Sequence, residues 1–272
     1  MATPAFPDTA AAEHAVLGGR HAVVTGASRG IGAAIADHLA ALGADLTLIG
    51  RDAATLAPRQ QEVVERYGVR AGAEVADVTD PDQVAAAMAA ATDRLGPPVI
   101  LVNNAGAAES APFARTDAAL LERMVSVNLG GTFLMTRQVV PAMVEAGFGR
   151  IVNIASTAGL KGYRYTTAYC TAKHAVIGLT RSLALELATT GVTVNAVCPG
   201  YTETDMVAGA VANIVEKTGK STAEAKALLA ANNPQGRLVE PGEVAAAVAW
   251  LCGPEAGAMT GQAITVAGGE VM

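Results

Sequence analysis

A chain of 272 residues, of which 51% are hydrophobic and 16% charged, has ample apolar material for a core. The net charge of −6 argues against a general nucleic-acid binder, which would carry a basic field. Cys170, Cys198 and Cys252 show no metal-binding spacing, and an odd number cannot form a full disulfide framework. We therefore expect no metal site and a reducing, cytoplasmic environment, with Cys170 and Cys198 as packing residues.

The N-terminal residues lack the pattern of a signal peptide, and no apolar run reaches the length of a membrane span. Residues 1–18, rich in Ala, Pro and Thr, are predicted to form a loose leader. Residues 19–272 contain no internal repeat or linker, so a single domain is predicted, in a protein that is neither membrane-bound nor bound to nucleic acid.

Short β-branched segments alternate with longer Ala-rich segments along the chain. Strands are predicted at 21–26, 45–50, 70–78, 99–106, 150–156, 192–200 and 261–269. The clearest helices between them are predicted at 31–43, 56–68, 82–96 and 167–190. Apolar strands alternating with helices predict a parallel sheet covered on both faces, the doubly wound α/β architecture. The carboxyl ends of the strands should form the ligand-binding edge.

The glycine-rich segment TGASRGIG, residues 25–32, ends the first predicted strand and opens a helix. Its glycines allow a tight turn and a close approach of a pyrophosphate to the helix N-terminus. The spacing is G-x-x-x-G-x-G and not the better-known G-x-G-x-x-G, so a turn without ligand stays an alternative. The segment predicts a dinucleotide site formed by Gly26, Ser28, Arg29, Gly30, Ile31 and Gly32.

The end of the second strand indicates which dinucleotide is bound. Gly50 has no side chain that could bind the ribose hydroxyls, whereas Arg51 can bind a phosphate. Arg29 could reach the same phosphate, so the sequence favours NADP(H) over NAD(H). Two alternatives remain open: Arg51 as a solvated loop residue, and Asp52 with its carboxylate near the ribose.

The segment YCTAK, residues 169–173, places Tyr169 and Lys173 on one helix face. The ordinary pKa of a tyrosine is about 10, and a neighbouring cation together with an oxidised nicotinamide would lower it. Tyr169 could then exchange a proton with a carbonyl oxygen, and Ser156 could hydrogen-bond the same oxygen. The alternative is a plain helix surface. His174 should face elsewhere.

In the order TGASRGIG, NNAG, Ser156, YCTAK and CPG, the chain resembles the short-chain dehydrogenase/reductase family from about Arg20 to Met272. The resemblance implies a seven-stranded Rossmann sheet and a nicotinamide cofactor. It also implies a catalytic tetrad, called the tetrad below, that consists of Asn128, Ser156, Tyr169 and Lys173. In it, Lys173 would also hold the nicotinamide ribose, and Asn128 would anchor a water that relays protons.

The resemblance implies further cofactor contacts. Two positions match those that hold the adenine: Asp77 and Val78. Three would line the adenosine ribose, although their motif could serve only to stabilise the sheet: Asn104, Ala105 and Gly106. Four belong to a segment that resembles the nicotinamide-side loop: Pro199, Gly200, Thr202 and Thr204.

Residues 203–240 hold helical patterns but no clear strand, so we predict a mobile substrate lid. This stretch resembles bacterial polyketide ketoreductases and 3-hydroxyacyl or 3-hydroxybutyrate dehydrogenases. The expected substrate is a 3-oxoacyl or 3-hydroxyacyl thioester on CoA or a carrier protein. Alternatives are 3-hydroxybutyrate, cyclic or aromatic alcohols and ketones, and a regulatory protein without catalysis. Three lid lysines could face the acyl carrier or solvent: Lys217, Lys220 and Lys226.

The helix predicted within residues 120–147 and the Tyr169 helix carry more apolar surface than one sheet face can cover. On the second, an apolar stripe recurs at helical spacing: Ala172, Val176, Leu179, Leu183 and Leu187. The last strand also has an open edge. Two-fold pairing of both surfaces predicts a homotetramer, as the resemblance also implies. The alternative is a stripe buried within one chain.

Overall fold

The computed structural model describes residues 15–272 and contains a seven-stranded parallel sheet. The strands lie in the order β3-β2-β1-β4-β5-β6-β7, so the connection from β3 to β4 crosses back over the centre. Their bounds are β1 His21–Thr25, β2 Asp45–Gly50, β3 Ala71–Val75, β4 Ile100–Asn103, β5 Gly149–Ile154, β6 Val192–Pro199 and β7 Ala263–Val266.

Nine α-helices lie within the described residues. Their bounds are α1 Gly30–Ala41, α2 Ala53–Tyr67, α3 Pro81–Leu95, α4 Ala118–Val125, α5 Gly131–Glu145, α6 Thr167–Glu186, α7 Asp205–Thr218, α8 Thr222–Ala230 and α9 Pro241–Cys252. A π-helical segment, Ser126–Gly130, joins α4 to α5.

Alternate side chains of β1 enter two cores on opposite faces of the sheet. Ala22 and Val24 pack with α1, α2 and α9, whereas Val23 packs with α3, α5 and α6. The strand is buried on both faces, which explains the apolar residues between its polar ends, His21 and Thr25. The predicted doubly wound, seven-stranded α/β fold is confirmed.

Because the strands are parallel, their carboxyl ends lie along one edge of the sheet. The predicted site residues follow six successive strands there, starting at Gly26, Arg51, Asp77, Asn104, Ser156 and Gly200. The strand at 99–106 was predicted too long, because β4 ends at Asn103. The N–H groups of Asn104 and Ala105 donate to the Thr25 hydroxyl at 3.0 and 2.9 Å, which turns the chain toward β1.

Leu17 belongs to the core, so the leader predicted for residues 1–18 is wrong at its C-terminal end. The Leu17 side chain is fully buried, and its N–H donates to the Leu42 carbonyl at 2.9 Å. The rest of the leader, residues 1–14, lies outside the described residues. The prediction of a single domain stays a prediction.

The lid, residues 203–240, forms α7 and α8, as its helical patterns predict. Its two ends lie side by side, because Thr202 and Val239 form a parallel bridge. The Glu203 N–H donates to the Val239 carbonyl at 2.8 Å, and the Val239 N–H donates to the Tyr201 carbonyl at 2.9 Å. The lid is therefore anchored beside β6, and its mobility stays a prediction.

The apolar stripe of α6 lies mainly inside the chain. Ala172, Val176 and Leu187 are buried, because α6 packs against β6 and α4. The prediction that this stripe meets a partner is therefore wrong for these three positions. Leu185, between the predicted positions, is instead 81% exposed.

Candidate active site

The glycine-rich turn between β1 and α1 leaves no room for a side chain at Gly26 or Gly32. Gly26 has a φ of 64°, and a Cβ atom on Gly32 would lie 2.2 Å from the Gly26 carbonyl oxygen. The helix has no side-chain cap, so its first N–H groups face the turn unpaired by a side chain. This arrangement fits a pyrophosphate group. Within the turn, Ser28 is half-buried, and Ile31 packs against the core.

Asn104 connects the turn to the centre of the sheet. Its Nδ2 donates to the carbonyls of Thr25 and Gly26 at 2.9 and 3.1 Å. The NNAG motif therefore stabilises the sheet edge, which was the alternative to a ligand role. Gly106 lies beside the tetrad, because a Cβ atom there would lie 2.7 Å from the Asn128 Oδ1 and 3.6 Å from the Lys173 Nζ.

At the end of β2 the Asp52 carboxylate is engaged with the next helix. The Asp52 Oδ1 accepts from the Ala54 N–H at 2.9 Å and caps α2. Arg51 is exposed beside it. Hydrogen bonds from Thr79 hold the pKa of Asp77 below its ordinary value, and the Arg51 charge adds to this effect. Arg51 and Asp77 therefore share one electrostatic environment at this edge.

Arg29 contacts the start of the lid. Its Nη1 lies 3.4 Å from the Asp205 Oδ2, and both side chains are more than 70% exposed. In the protein alone the Arg29 guanidinium thus pairs with Asp205, and its convergence with Arg51 on one phosphate stays a prediction. An exposed pair of this kind contributes about 0–1 kcal/mol, so a phosphate could displace the carboxylate.

The loop after β6 closes on the glycine-rich turn. The Thr202 hydroxyl donates to the Gly200 carbonyl at 3.0 Å, and the Thr204 hydroxyl donates to the Thr202 carbonyl at 3.2 Å. A Cβ atom on Gly30 would lie 3.2 Å from the Thr204 methyl group. The segments predicted to bind the pyrophosphate and the nicotinamide of the cofactor thus meet; Pro199 ends β6 just before this loop.

Asn128 lies in the π-helical segment, a rare conformation that often occurs at functional sites. The side chain is 1% exposed. Its Nδ2 donates to the carbonyls of Ala107 and Met124, both at 2.9 Å, and its Oδ1 accepts from the Ala107 N–H at 3.4 Å. These bonds fix the orientation of the amide beside Gly106. Val78 packs nearby, against Gly131.

Lys173 extends from α6 to the end of β5. It is 5% exposed, and its Nζ donates to the Ile154 carbonyl at 2.8 Å. Burial lowers the pKa of Lys173 to about 8. The ammonium nitrogen lies 5.8 Å from the centre of the Tyr169 ring.

Burial raises the pKa of Tyr169 to about 12, and a hydrogen bond with Ser156 offsets this only in part. In the protein alone the Lys173 charge does not offset this burial, and its joint effect with an oxidised nicotinamide stays a prediction. The reason is that the Lys173 ammonium points to Ile154, while desolvation penalises the phenolate. At neutral pH Tyr169 holds its proton.

Ser156 opens a short 3₁₀ turn, Thr157–Gly159, after β5. Its Oγ accepts from the Ala158 N–H at 3.1 Å. A Cβ atom on Gly159 would lie 2.8 Å from the Lys173 carbonyl oxygen, so the turn packs directly on α6. This contact brings Ser156 to Tyr169, and the four tetrad residues converge.

Cys170 and Cys198 are buried, as predicted. His174 is exposed, and its Nδ1 bonds to the Cys170 carbonyl at 2.9 Å, away from Tyr169. The sequence analysis missed Glu270, a buried carboxylate that contacts Tyr163 near this site. Its only sequence signal is an acidic residue after two glycines.

The family model described as short chain dehydrogenase matches residues 20–214. The chain belongs to the short-chain dehydrogenase/reductase family. Membership agrees with the resemblance carried by the five motifs, and it makes the chain an oxidoreductase. Within residues 15–272 of this family member, no helix combines the length and apolarity that crossing a membrane requires.

Relatives of this short-chain dehydrogenase/reductase cover nearly its whole described length. It is 44% identical over 250 residues to a putative ketoacyl reductase of Streptomyces coelicolor, covering 91% of this chain and 95% of the relative. It is 39% identical over 256 residues to a 3-oxoacyl-[acyl-carrier-protein] reductase of Vibrio cholerae, covering 94% and 99%. A solved structure of a variant actinorhodin polyketide ketoreductase with NADPH has a TM-score of 0.88 and 43% identity, covering 92% of this chain and 97% of that one.

Proposed function

We propose that this protein interconverts a ketone and a secondary alcohol with NADP(H), and that its substrate is a 3-oxoacyl or 3-hydroxyacyl thioester. The observation that carries the proposal is the convergence of Ser156, Tyr169 and Lys173 at the sheet edge that also carries the glycine-rich turn, where Gly26 and Gly32 leave no room for a Cβ atom. The names of relatives that share about 40% of its sequence support a ketone as the reducible group.

The bound nicotinamide would supply the hydride for ketone reduction or accept it in alcohol oxidation. Tyr169 holds the proton that the substrate oxygen needs, because burial keeps its phenol protonated at neutral pH. Ser156 hydrogen-bonds Tyr169 and can donate to the same oxygen as negative charge develops on it.

Lys173 and Asn128 would return the proton to Tyr169. With a pKa of about 8, Lys173 can give up and regain a proton near neutral pH more readily than an exposed lysine. Asn128 is held rigidly beside Gly106, where it can orient a water between Lys173 and solvent.

The residues at the end of β2 favour NADP(H) over NAD(H). Gly50 offers no carboxylate there, Asp52 is engaged in capping α2, and Arg51 is exposed. An arginine can form two parallel hydrogen bonds with a 2′-phosphate. The solved ketoreductase with NADPH supports the same choice.

The acyl carrier would approach over the lid. Lys226 forms an ion pair with Glu203, whereas Lys217 and Lys220 are exposed and could face a phosphate of the carrier. Comparing kcat/KM for the same acyl group on CoA and on a carrier protein would show which carrier is used. The cytoplasmic location stays a prediction.

The test is a panel of substrates followed by NADPH absorbance: a 3-oxoacyl-CoA, the same acyl group on a carrier protein, a cyclic ketone and an aromatic ketone, with 3-hydroxybutyrate in the reverse direction. We expect the thioesters to have the highest kcat/KM. Tyr169→Phe should lower kcat by about 10²–10⁴-fold without loss of NADPH binding, because it removes the hydroxyl that carries the proton and keeps the ring. Tight NADPH binding with no turnover by the unmodified protein would instead indicate a regulatory protein.

A further inference from the structure

Glu270 is a buried carboxylate near the active site that the proposed mechanism does not use. Its side chain is 2% exposed. Its Oε1 accepts a hydrogen bond from the Tyr163 hydroxyl at 2.5 Å and lies 3.3 Å from the Lys161 Nζ. Burying a carboxylate costs free energy unless charged and hydrogen-bonding partners compensate, and these two residues provide both.

Tyr163 connects this carboxylate to the catalytic loop. Its hydroxyl lies 2.8 Å from the Thr157 Oγ1. A tyrosine has one hydroxyl proton, which the Glu270 carboxylate accepts, so the Thr157 hydroxyl donates to the Tyr163 oxygen. Thr157 directly follows Ser156. A chain of two hydrogen bonds therefore runs from Glu270 to the residue beside Ser156.

The second oxygen of Glu270 packs on the loop after β6. A Cβ atom on Gly200 would lie 3.0 Å from the Glu270 Oε2. Gly200 belongs to the segment expected to bind the nicotinamide side of the cofactor. One carboxylate thus contacts both the loop that follows Ser156 and the loop expected to hold the cofactor.

The loop between Ser156 and Tyr169 needs such support because its backbone is strained. Tyr165 has a φ of 67°, the only positive φ of a non-glycine residue within the described part of the chain. A bulky residue in this region costs about 1–3 kcal/mol unless its surroundings hold it. The Ala111 N–H donates to the Tyr165 carbonyl at 2.8 Å. The Thr166 hydroxyl donates to the Tyr163 carbonyl at 3.2 Å.

We propose that Glu270 is a positioning residue that sets the place of the Ser156 hydroxyl relative to Tyr169 through Tyr163 and Thr157. Lys161 completes the arrangement by balancing the charge of Glu270, with its Nζ 4.9 Å from the centre of the Tyr163 ring. The inference rests on the proposed function, because ketone turnover is the quantity that it affects.

The experiment uses the full-length protein and the best ketone of the panel. Glu270→Ala and Tyr163→Phe should each lower kcat by about tenfold to a hundredfold, because a small misplacement of a catalytic group is costly. The KM for NADPH should change little in Tyr163→Phe, which leaves the contact between Glu270 and Gly200 in place. Glu270→Gln keeps an acceptor for Tyr163 and should recover part of the loss. The double variant Tyr163→Phe/Glu270→Ala should be no slower than the slower single variant, because both break one connection.

The matched control is Glu255→Gln, since Glu255 is an exposed acidic residue elsewhere in the C-terminal part of the chain. It should keep the kcat of the unmodified protein. If Glu270→Ala does not fold, Tyr163→Phe decides, because it removes a single oxygen. An unchanged kcat in Tyr163→Phe, or losses that multiply in the double variant, would overturn the positioning role while the unmodified protein stays active. An unmodified protein that reduces no ketone would overturn the proposed function as well.

Discussion

The Lys173 ammonium donates to the carbonyl of Ile154 at 2.8 Å and lies 5.8 Å from the ring centre of Tyr169. The cation is thus held by the end of β5, inside the protein, and not directly by the phenol. This relationship explains why burial dominates both titrations, lowering the pKa of Lys173 and raising that of Tyr169.

Lys173 should therefore destabilise the folded protein at neutral pH. The unfolded chain holds this proton up to about pH 10.5, whereas the folded protein releases it near about pH 8. The free-energy cost of burying the Lys173 charge is therefore fully present below about pH 8, the pKa in the folded protein. It disappears as the pH rises toward 10.5, the pKa in the unfolded chain. Relative to Lys173→Met, the unmodified protein should gain about 2 kcal/mol of unfolding free energy between about pH 7 and pH 10.

Denaturant unfolding of both proteins at the two pH values checks this prediction. Lys220→Met is the control, since Lys220 is exposed and its replacement should give no such difference. A difference between Lys173→Met and the unmodified protein that does not vary with pH would contradict the burial effect.

Arg51 should select the phosphorylated cofactor. Loss of a charge-assisted hydrogen bond costs about 2 kcal/mol, or about thirtyfold in affinity. Arg51→Ala should weaken NADPH binding by this factor and leave NADH binding nearly unchanged, as measured by titration of intrinsic fluorescence. Arg66→Ala, at an exposed arginine of α2, should change neither affinity. Equal use of both cofactors by the unmodified protein would show the selection to be wrong.

Gly32 should be the glycine least tolerant of substitution in the turn. In Gly32→Ala the new Cβ atom would lie 2.2 Å from the Gly26 carbonyl oxygen, so the turn must shift. We expect loss of NADPH binding and a lower melting temperature. Gly178→Ala is the matched control, because a Cβ atom there, on α6, meets nothing within 4 Å. Helix propensity should make this control stabilising by up to about 1 kcal/mol. Tight NADPH binding by Gly32→Ala would contradict the proposed site.

The homotetramer stays a prediction. Because most of the predicted stripe is buried within the chain, its test uses an exposed residue of α6 instead. Leu185 is 81% exposed on α6, so Leu185→Glu should place charges in any contact between paired copies of this helix. Light scattering after size exclusion should give four chain masses for the unmodified protein and fewer for the variant. Val64→Glu, on α2, is the control, since Val64 is 38% exposed. A mass of one chain at micromolar concentration for the unmodified protein would rule out the assembly.

The fold class, and the loops at which a ligand site is expected, follow from the order and type of residues along the chain. Strands buried on both faces are rich in apolar residues, which makes β1, β2 and β6 recognisable within one residue at each end. Parallel strands with helical crossovers have their carboxyl ends at one edge, which placed the loops at Gly26, Arg51, Ser156 and Gly200 together before any distance was known.

Some properties depend on neighbours that are distant in the chain, and these could be read only from the three-dimensional structure. They are pKa values, the buried side of a helix and long-range hydrogen bonds. The pKa of Tyr169 depends on burial and on the direction of the Lys173 side chain, neither of which helical spacing reveals. Which side of α6 is covered depends on β6 and α4, and for this reason the predicted stripe was mostly internal. Glu270 and Tyr163 are 107 residues apart in the sequence, so their hydrogen bond exists only once the last strand has paired with β6.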